Sequence, residues 1–160
     1  MKNIYKMFHS QNGEDAWIVK HLELPNKGIF VDIGAASARF RNNTYHFEMN
    51  GWKGICIDAD PHWFSECSGS CSESGETKCE SLPKYRKKYL HAFISNGKDE
   101  ITFSSRERHV LSRVVDFEER ELANQRYSII CKMKPKTLES VLKLHRYKHI
   151  DLIYLNYPNL

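Results

Sequence analysis

Apolar positions in this chain gather into short runs that stop at polar residues. Gly28-Ile29-Phe30-Val31-Asp32-Ile33-Gly34 is nearly continuous. Such a run fits a strand buried on both faces, as in a parallel sheet. Gly54-Ile55-Cys56-Ile57-Asp58 is a second, and Asp151-Leu152-Ile153-Tyr154-Leu155 predicts a last buried strand. Tyr89 to Ile94 predicts another, turning at Asn96-Gly97 into Glu100 to Ser104 as a hairpin.

Helical spacing lies between these runs. Gly13 to Leu22 predicts a short amphipathic helix with Trp17/His21 and Ile18/Leu22 four apart, capped by Ser10 or Asn12. Glu14 and Asp15 fall in its first turn, where the helix dipole favours them. A second helix is expected from about Asn43 to Met49, capped by Asn43 or Thr44 and stopped by Gly51. Pro61 can start a third through Trp63 and Phe64. Thr137 caps a helix with Leu138, Val141 and Leu142 on one face. Residues 65–82 read as a loop, and 105–135 carry no clear pattern.

Strand, loop, helix, strand is the grammar of an open α/β sheet. Ligands on such sheets sit outside the carboxyl ends of the strands. That places Asp32 to Ala38, Asp58 to Asp60 and Asn156 to Asn159 on one rim.

The 160 residues, 41% apolar and 28% charged, suit one domain with a real core. No apolar run approaches the roughly 20 residues of a membrane span, and the first residues lack the apolar centre of a secretory leader. A cytoplasmic location is expected. The net charge of +4 permits an anionic ligand without demanding nucleic acid. Lys84-Tyr85-Arg86-Lys87-Lys88-Tyr89 interleaves bases and aromatics. It reads as a solvated rim rather than an RNA surface. The cysteines Cys56, Cys67, Cys71, Cys79 and Cys131 are odd in number, against a secreted disulfide framework. Cys67, Cys71 and Cys79 could bind metal with His62 or Cys131. Only one pair has zinc-like spacing, so free thiols are the expectation and no metal is assigned.

The sharpest local feature is Asp32-x-Gly34 at a strand end, with Asp58 placed 24 residues after Gly34. Glycine there lets backbone approach a ligand, and an acid ending the next strand can accept both ribose hydroxyls of a nucleoside. A plain turn at Gly34 and a helix cap at Asp58 explain the same residues about as well. The glycines exclude two other readings: the chain has neither G-x-G-x-x-G nor a P-loop, since Gly97-Lys98 is followed by Asp99.

Taken together, these residues resemble the FkbM-type methyltransferases, S-adenosylmethionine-dependent enzymes of the class I methyltransferase fold. The resemblance rests on Ser10-Gln11-x-Gly13-Glu14-Asp15, Phe30-Val31-Asp32-Ile33-Gly34-Ala35, Asn43-Thr44, Glu48, Gly51-Trp52-x-Gly54 and Ile57-Asp58-x-Asp60-Pro61. It continues through Ala92-Phe93-Ile94-Ser95, Thr137-Leu138-Glu139-Ser140 and Ile150-Asp151-Leu152, covering most of the chain. It implies a Rossmann-like, open, mostly parallel sheet with helices on both faces. It implies S-adenosylmethionine as cofactor and O-methylation of a small-molecule or sugar hydroxyl. Asp32, Gly34 and Ala35 match the loop that cradles the cofactor's methionine end. Asp58, followed by Ala59, matches the acid on the ribose. Glu14 and Asp15 match the opening motif, which by the resemblance helps close the cofactor site, and Glu14 and, at the last rim position, Asn156 are expected among the cofactor-binding residues. Asn43, Thr44 and Glu48 fit capping and packing equally well, and Trp52 fits the core.

The departures are specific. The family usually has Asn-Asp-Gly or similar where this chain has Ala36-Ser37-Ala38, and Asp-Val-Glu-Gly where it has Asn156-Tyr157-Pro158-Asn159. An amide cannot act as a base in place of a carboxylate. The later strands of a class I sheet have no counterpart, so 151–155 is expected at an edge. A fragment, a reduced homologue and a chain pairing with a second copy along that edge all fit. No base is assigned. The rival reading is a catalytically inactive binding or interaction module that kept the cofactor half of the fold.

Overall fold

The computed structural model describes residues 8–37, 41–60, 63, 76–77, 87–105, 113–115 and 129–156. The helices are α1 (Glu14–His21), α2 (Tyr45–Met49) and α3 (Leu138–Leu144). The strands are β1 (Ile29–Ile33), β2 (Lys53–Asp58), β3 (Glu76–Thr77), β4 (Lys87–His91), β5 (Ile101–Ser105), β6 (Arg113–Val115), β7 (Ile129–Met133) and β8 (Leu152–Leu155).

Five strands form one sheet in the order β3-β4-β2-β1-β8, parallel except for β3. The chain is an α/β protein with a mostly parallel sheet. β1 and β2 bury almost every residue, which is why they read as unbroken apolar runs. From β1 the sheet grows one way through β2 and β4, and the other way to β8. The order therefore reverses at β1.

Helices cover both faces. Ile18 of α1 and Phe47 of α2 pack with Phe30, Trp52, Cys56, Tyr89 and Leu152. Val141 of α3 packs with Val31, Ile33, Ile55, Ile57 and Leu90 on the other face, with Leu138 and Leu142 beside it. The expected apolar face of α3 is therefore present, and Thr137 caps it, accepting from the Ser140 N–H at 3.1 Å.

α2 ends as its sequence predicts. Gly51 has φ 91°, its N–H donates to the Glu48 carbonyl, and the Trp52 N–H donates to that of Phe47. This is a Schellman motif, sealed by the Phe47 and Trp52 rings at 5.2 Å. Its start differs. Thr44 holds the N-cap position, yet its side chain caps nothing, because the hydroxyl is turned into the core. α1 is also capped differently, by Gly13 at φ 84° with no side-chain cap bond. The Ser10 hydroxyl still accepts from the Asp15 N–H at 3.3 Å, while Asn12 bonds Glu14. Of the pairs expected on α1, Trp17 and His21 do meet, but on an exposed face, and Ile18 is buried without Leu22. Trp17 and Leu22 are exposed, Trp17 stacks on His21 at 4.6 Å, and only Asp15 and Ile18 are buried.

The expected hairpin at Asn96-Gly97 is absent. β4 pairs with β2 and β3, whereas β5 pairs with β6 and β7 in a separate antiparallel sheet of order β6-β5-β7. A two-residue type I′ turn needs φ > 0 at both central residues. Neither Asn96 nor Gly97 has it. The chain beyond β4 instead runs beside Lys136, with Ile94 bridging Lys136 and the Ser95 N–H on the Lys136 carbonyl. Within the predicted loop 65–82, Glu76 and Thr77 form β3. Of the helix expected after Pro61 only Trp63 is described, in helical conformation.

β8 pairs only with β1 among the described residues, so it lies at an edge as expected. It is not a buried strand: Ile153 and Leu155 are exposed while Leu152 is covered.

Candidate functional site

The carboxyl ends of β1, β2 and β4 converge where the strand order reverses. Asp32 is fully buried on β1. In register across the sheet it lies between Tyr154 of β8 and Cys56 of β2, with Tyr89 of β4 beyond. A carboxylate in such a row needs strong donors. The Thr44 hydroxyl donates to Asp32 Oδ2 at 2.7 Å, which explains why Thr44 does not cap its helix. Burial raises the Tyr154 phenol pKa, and the Glu14, Asp32 and Asp15 carboxylates add to it.

Gly34 has φ 77°, and an added Cβ would collide with the Asn156 carbonyl oxygen. The close approach that glycine permits is thus to Asn156 backbone, not to an open cleft. The loop beyond it is fixed from two sides. Gly34 and Ala35 both donate N–H bonds to the Ile57 carbonyl, at 2.8 and 3.2 Å. Ala36 takes a left-handed conformation, φ 49°, and its N–H donates to Asp58 Oδ2 at 2.8 Å.

Asp58 ends β2. Its Oδ1 accepts from the Asp60 N–H at 2.8 Å. Burial pushes its pKa up to about 6, against the two backbone N–H bonds and with the Asp60 and Asp32 carboxylates adding to the rise. Beside it, His91 ends β4 in register with Asp58 and contacts the Ala59 carbonyl through Nε2 at 2.9 Å. His91 thereby holds the 58–60 turn.

Of the sequence-predicted residues, Asp32, Ala35, Asp58 and Ala59 come together here. Asn156 joins through its backbone, with its N–H on the Ile33 carbonyl at 2.8 Å. Glu14 is bound by the backbone and side-chain N–H groups of Asn12 at 2.9 and 3.0 Å. Burial would raise its pKa, but its own backbone N–H, these bonds and Ser10 together outweigh burial and hold it below the usual carboxylate range. Asp15 is fully buried and takes the Ser10 hydroxyl at 2.5 Å and the His9 N–H at 2.6 Å. It ties the entering segment to α1. Asn43, Glu48 and Trp52 are buried. Tyr89 is core, so it offers no stacking surface to a nucleic acid.

Sequence reasoning missed Asn42 and His91. Asn42 is 1% exposed and braces the 35–37 loop. Its position before Thr44 looks like an ordinary cap. Aligning the strand ends would have placed His91 beside Asp58. His46 stacks with Phe8 and lies away from the rim. With Val19, Leu22, Phe47 and Trp52 it lines a pocket of about 240 Å³ beside the starts of β1 and β2.

No cluster of three metal-ligating side chains occurs among the described residues. His62, Cys67, Cys71 and Cys79 lie outside them. Cys131 is half-buried on β7, its pKa raised by burial and then by the Asp60 carboxylate. No helix among the described residues is long and apolar enough to cross a membrane.

Among the carboxylates gathered here, Asp58 ends β2 with each of its oxygens accepting a single backbone N–H. Each oxygen has a further lone pair, so the group can accept two more hydrogen bonds. Compared with family models, curated proteins and solved structures, the chain finds no match.

Proposed function

We propose that this chain is an S-adenosylmethionine-dependent methyltransferase of the FkbM type on a Rossmann-like sheet, acting on a small-molecule or sugar hydroxyl. The observation that carries the reading is the position of Asp58. It ends the strand next to β1, at the reversal of strand order, with the 34–37 loop bonded to it. Nucleotide-type ligands of doubly wound sheets bind at that point. The donor set fits such a ligand: Asp58, when ionised, accepts the two ribose hydroxyls with its remaining lone pairs. When bound, the cofactor supplies an electrophilic methyl group on its sulfonium. The protein's part is then to orient the two reactants in line. A cytosolic setting belongs to the same proposal.

A second reading, a binding module without transferase activity, has its own support. The space Gly34 opens is taken by Asn156 backbone, and the rim residue Asn156 is an amide. Incubation with methyl-labelled cofactor and a set of hydroxylated small molecules separates the two. Label transfer supports the enzyme; cofactor binding without transfer to any acceptor supports the module.

A further inference from the structure

Asn42 is the polar residue of this region that the proposed function leaves without a role. It is 1% exposed. Its Nδ2 donates to the Ala35 carbonyl at 3.2 Å and the Ser37 carbonyl at 3.0 Å, and lies 3.4 Å from Asp32 Oδ2. Its Oδ1 accepts from the Thr44 N–H at 3.1 Å. The side chain is therefore oriented from both ends.

One of these bonds has a particular geometry. The Ala35 carbonyl and the Ala36 N–H belong to the same peptide unit, which is planar and trans. The oxygen and the hydrogen of such a unit point in opposite directions. Asn42 holds the oxygen, and Asp58 receives the hydrogen at 2.8 Å. Its second bond pins the carbonyl two residues further on, that of Ser37. Ala36 between them sits at φ 49°, a conformation an L-residue keeps only when its surroundings impose it.

Asn42 is itself anchored. Thr44 bonds Asp32 with its hydroxyl and Asn42 with its backbone N–H, and the neighbouring Arg41 bridges Ser10, which the buried Asp15 holds. The opening Ser10…Asp15 motif is thus linked to the rim through the backbone at Arg41.

We infer that Asn42 is a positioning residue that aims the Ala36 N–H at Asp58 through the 35–36 peptide plane, and so sets the carboxylate on which a nucleoside's hydroxyls would rest. The last clause depends on the proposed function; the positioning does not. The titratable groups around Asp58 are Asp60, Asp32 and, at the end of β4, His91.

The test is an NMR titration of the Asp58 carboxyl in the full chain, for wild type, Asn42→Ala and Asn42→Ser, the last being less disruptive to packing. Val141→Ala, on the other face of the sheet, supplies a destabilised control. Loss of an N–H bond to a carboxylate raises its midpoint by about one pH unit. That rise in either folded Asn42 variant, with faster exchange of the Ala36 amide and no rise in Val141→Ala, is the expected result. An unchanged Asp58 midpoint in every folded Asn42 variant, or an equal rise in Val141→Ala, overturns the inference. S-adenosylhomocysteine binding, measured alongside, tests the proposed function separately: its absence leaves the titration result standing.

Discussion

The Ala36 N–H donates to Asp58 Oδ2 at 2.8 Å, joining the loop after β1 to the end of β2. Two neighbouring strands of a parallel sheet are thereby locked together at the rim by one charge-assisted bond. The lock has a cost, since the carboxylate that accepts it is buried among other acids.

That cost is readable as a pH dependence. The folded Asp58 pKa of about 6 lies above the value of roughly 3.9 expected in the unfolded chain. Such a group contributes nothing adverse below pH ~4, and its stability is lost as pH rises through the folded value. Between about pH 4 and 6 the wild type should lose up to about 3 kcal/mol relative to Asp58→Ala. Urea denaturation of both proteins across that interval checks it; parallel stability profiles would contradict it.

Thr44→Val should cost about 2 kcal/mol, because it withdraws the 2.7 Å hydroxyl donor from the fully buried Asp32. Thr44→Ser keeps the donor and should stay within about 1 kcal/mol of wild type. Denaturant midpoints of the two variants distinguish a lost hydrogen bond from a general intolerance of position 44.

Gly34→Ala should be more damaging than its single methyl suggests. The new Cβ meets the Asn156 carbonyl and also carries φ 77°. A loss of about 2 kcal/mol or more is expected, with faster amide exchange at the end of β8, where the Asn156 N–H bonds Ile33. Retained wild-type stability would show that the Gly34–Asn156 approach is not constraining.

Arg146 follows the end of α3 in the left-handed region at φ 57°, with its N–H on the Lys143 carbonyl and the Tyr147 N–H on that of Leu142. This is the position glycine favours after a helix. Arg146→Gly should stabilise the chain by about 0.5–1 kcal/mol. Thermal unfolding gives the sign directly.

Much of the parallel sheet was legible because its strands are buried on both faces. Ile29–Ile33 and Lys53–Asp58 could hardly be anything else, and Asp58 stood out as a charge ending such a run. The edge position of β8 was legible too, but not its half-exposed face. Pairing partners were not legible. Asn96-Gly97 carries the local signal of a tight turn, yet β5 is committed to β6 and β7, a long-range choice that no local signal records. Asn42 and Thr44 were hidden for a related reason. Short polar residues before a helix look like caps, and only the fold reveals that both face Asp32 instead.

The central proposal is that Asp58 anchors a nucleoside. Calorimetric titration of the folded chain with S-adenosylmethionine and S-adenosylhomocysteine, at pH 7.5 and pH 5, tests it most directly. Hydroxyl donors need the ionised carboxylate, so binding should weaken about tenfold at pH 5 and vanish in Asp58→Ala. No binding of either compound at pH 7.5, or binding unchanged by the substitution, would contradict it.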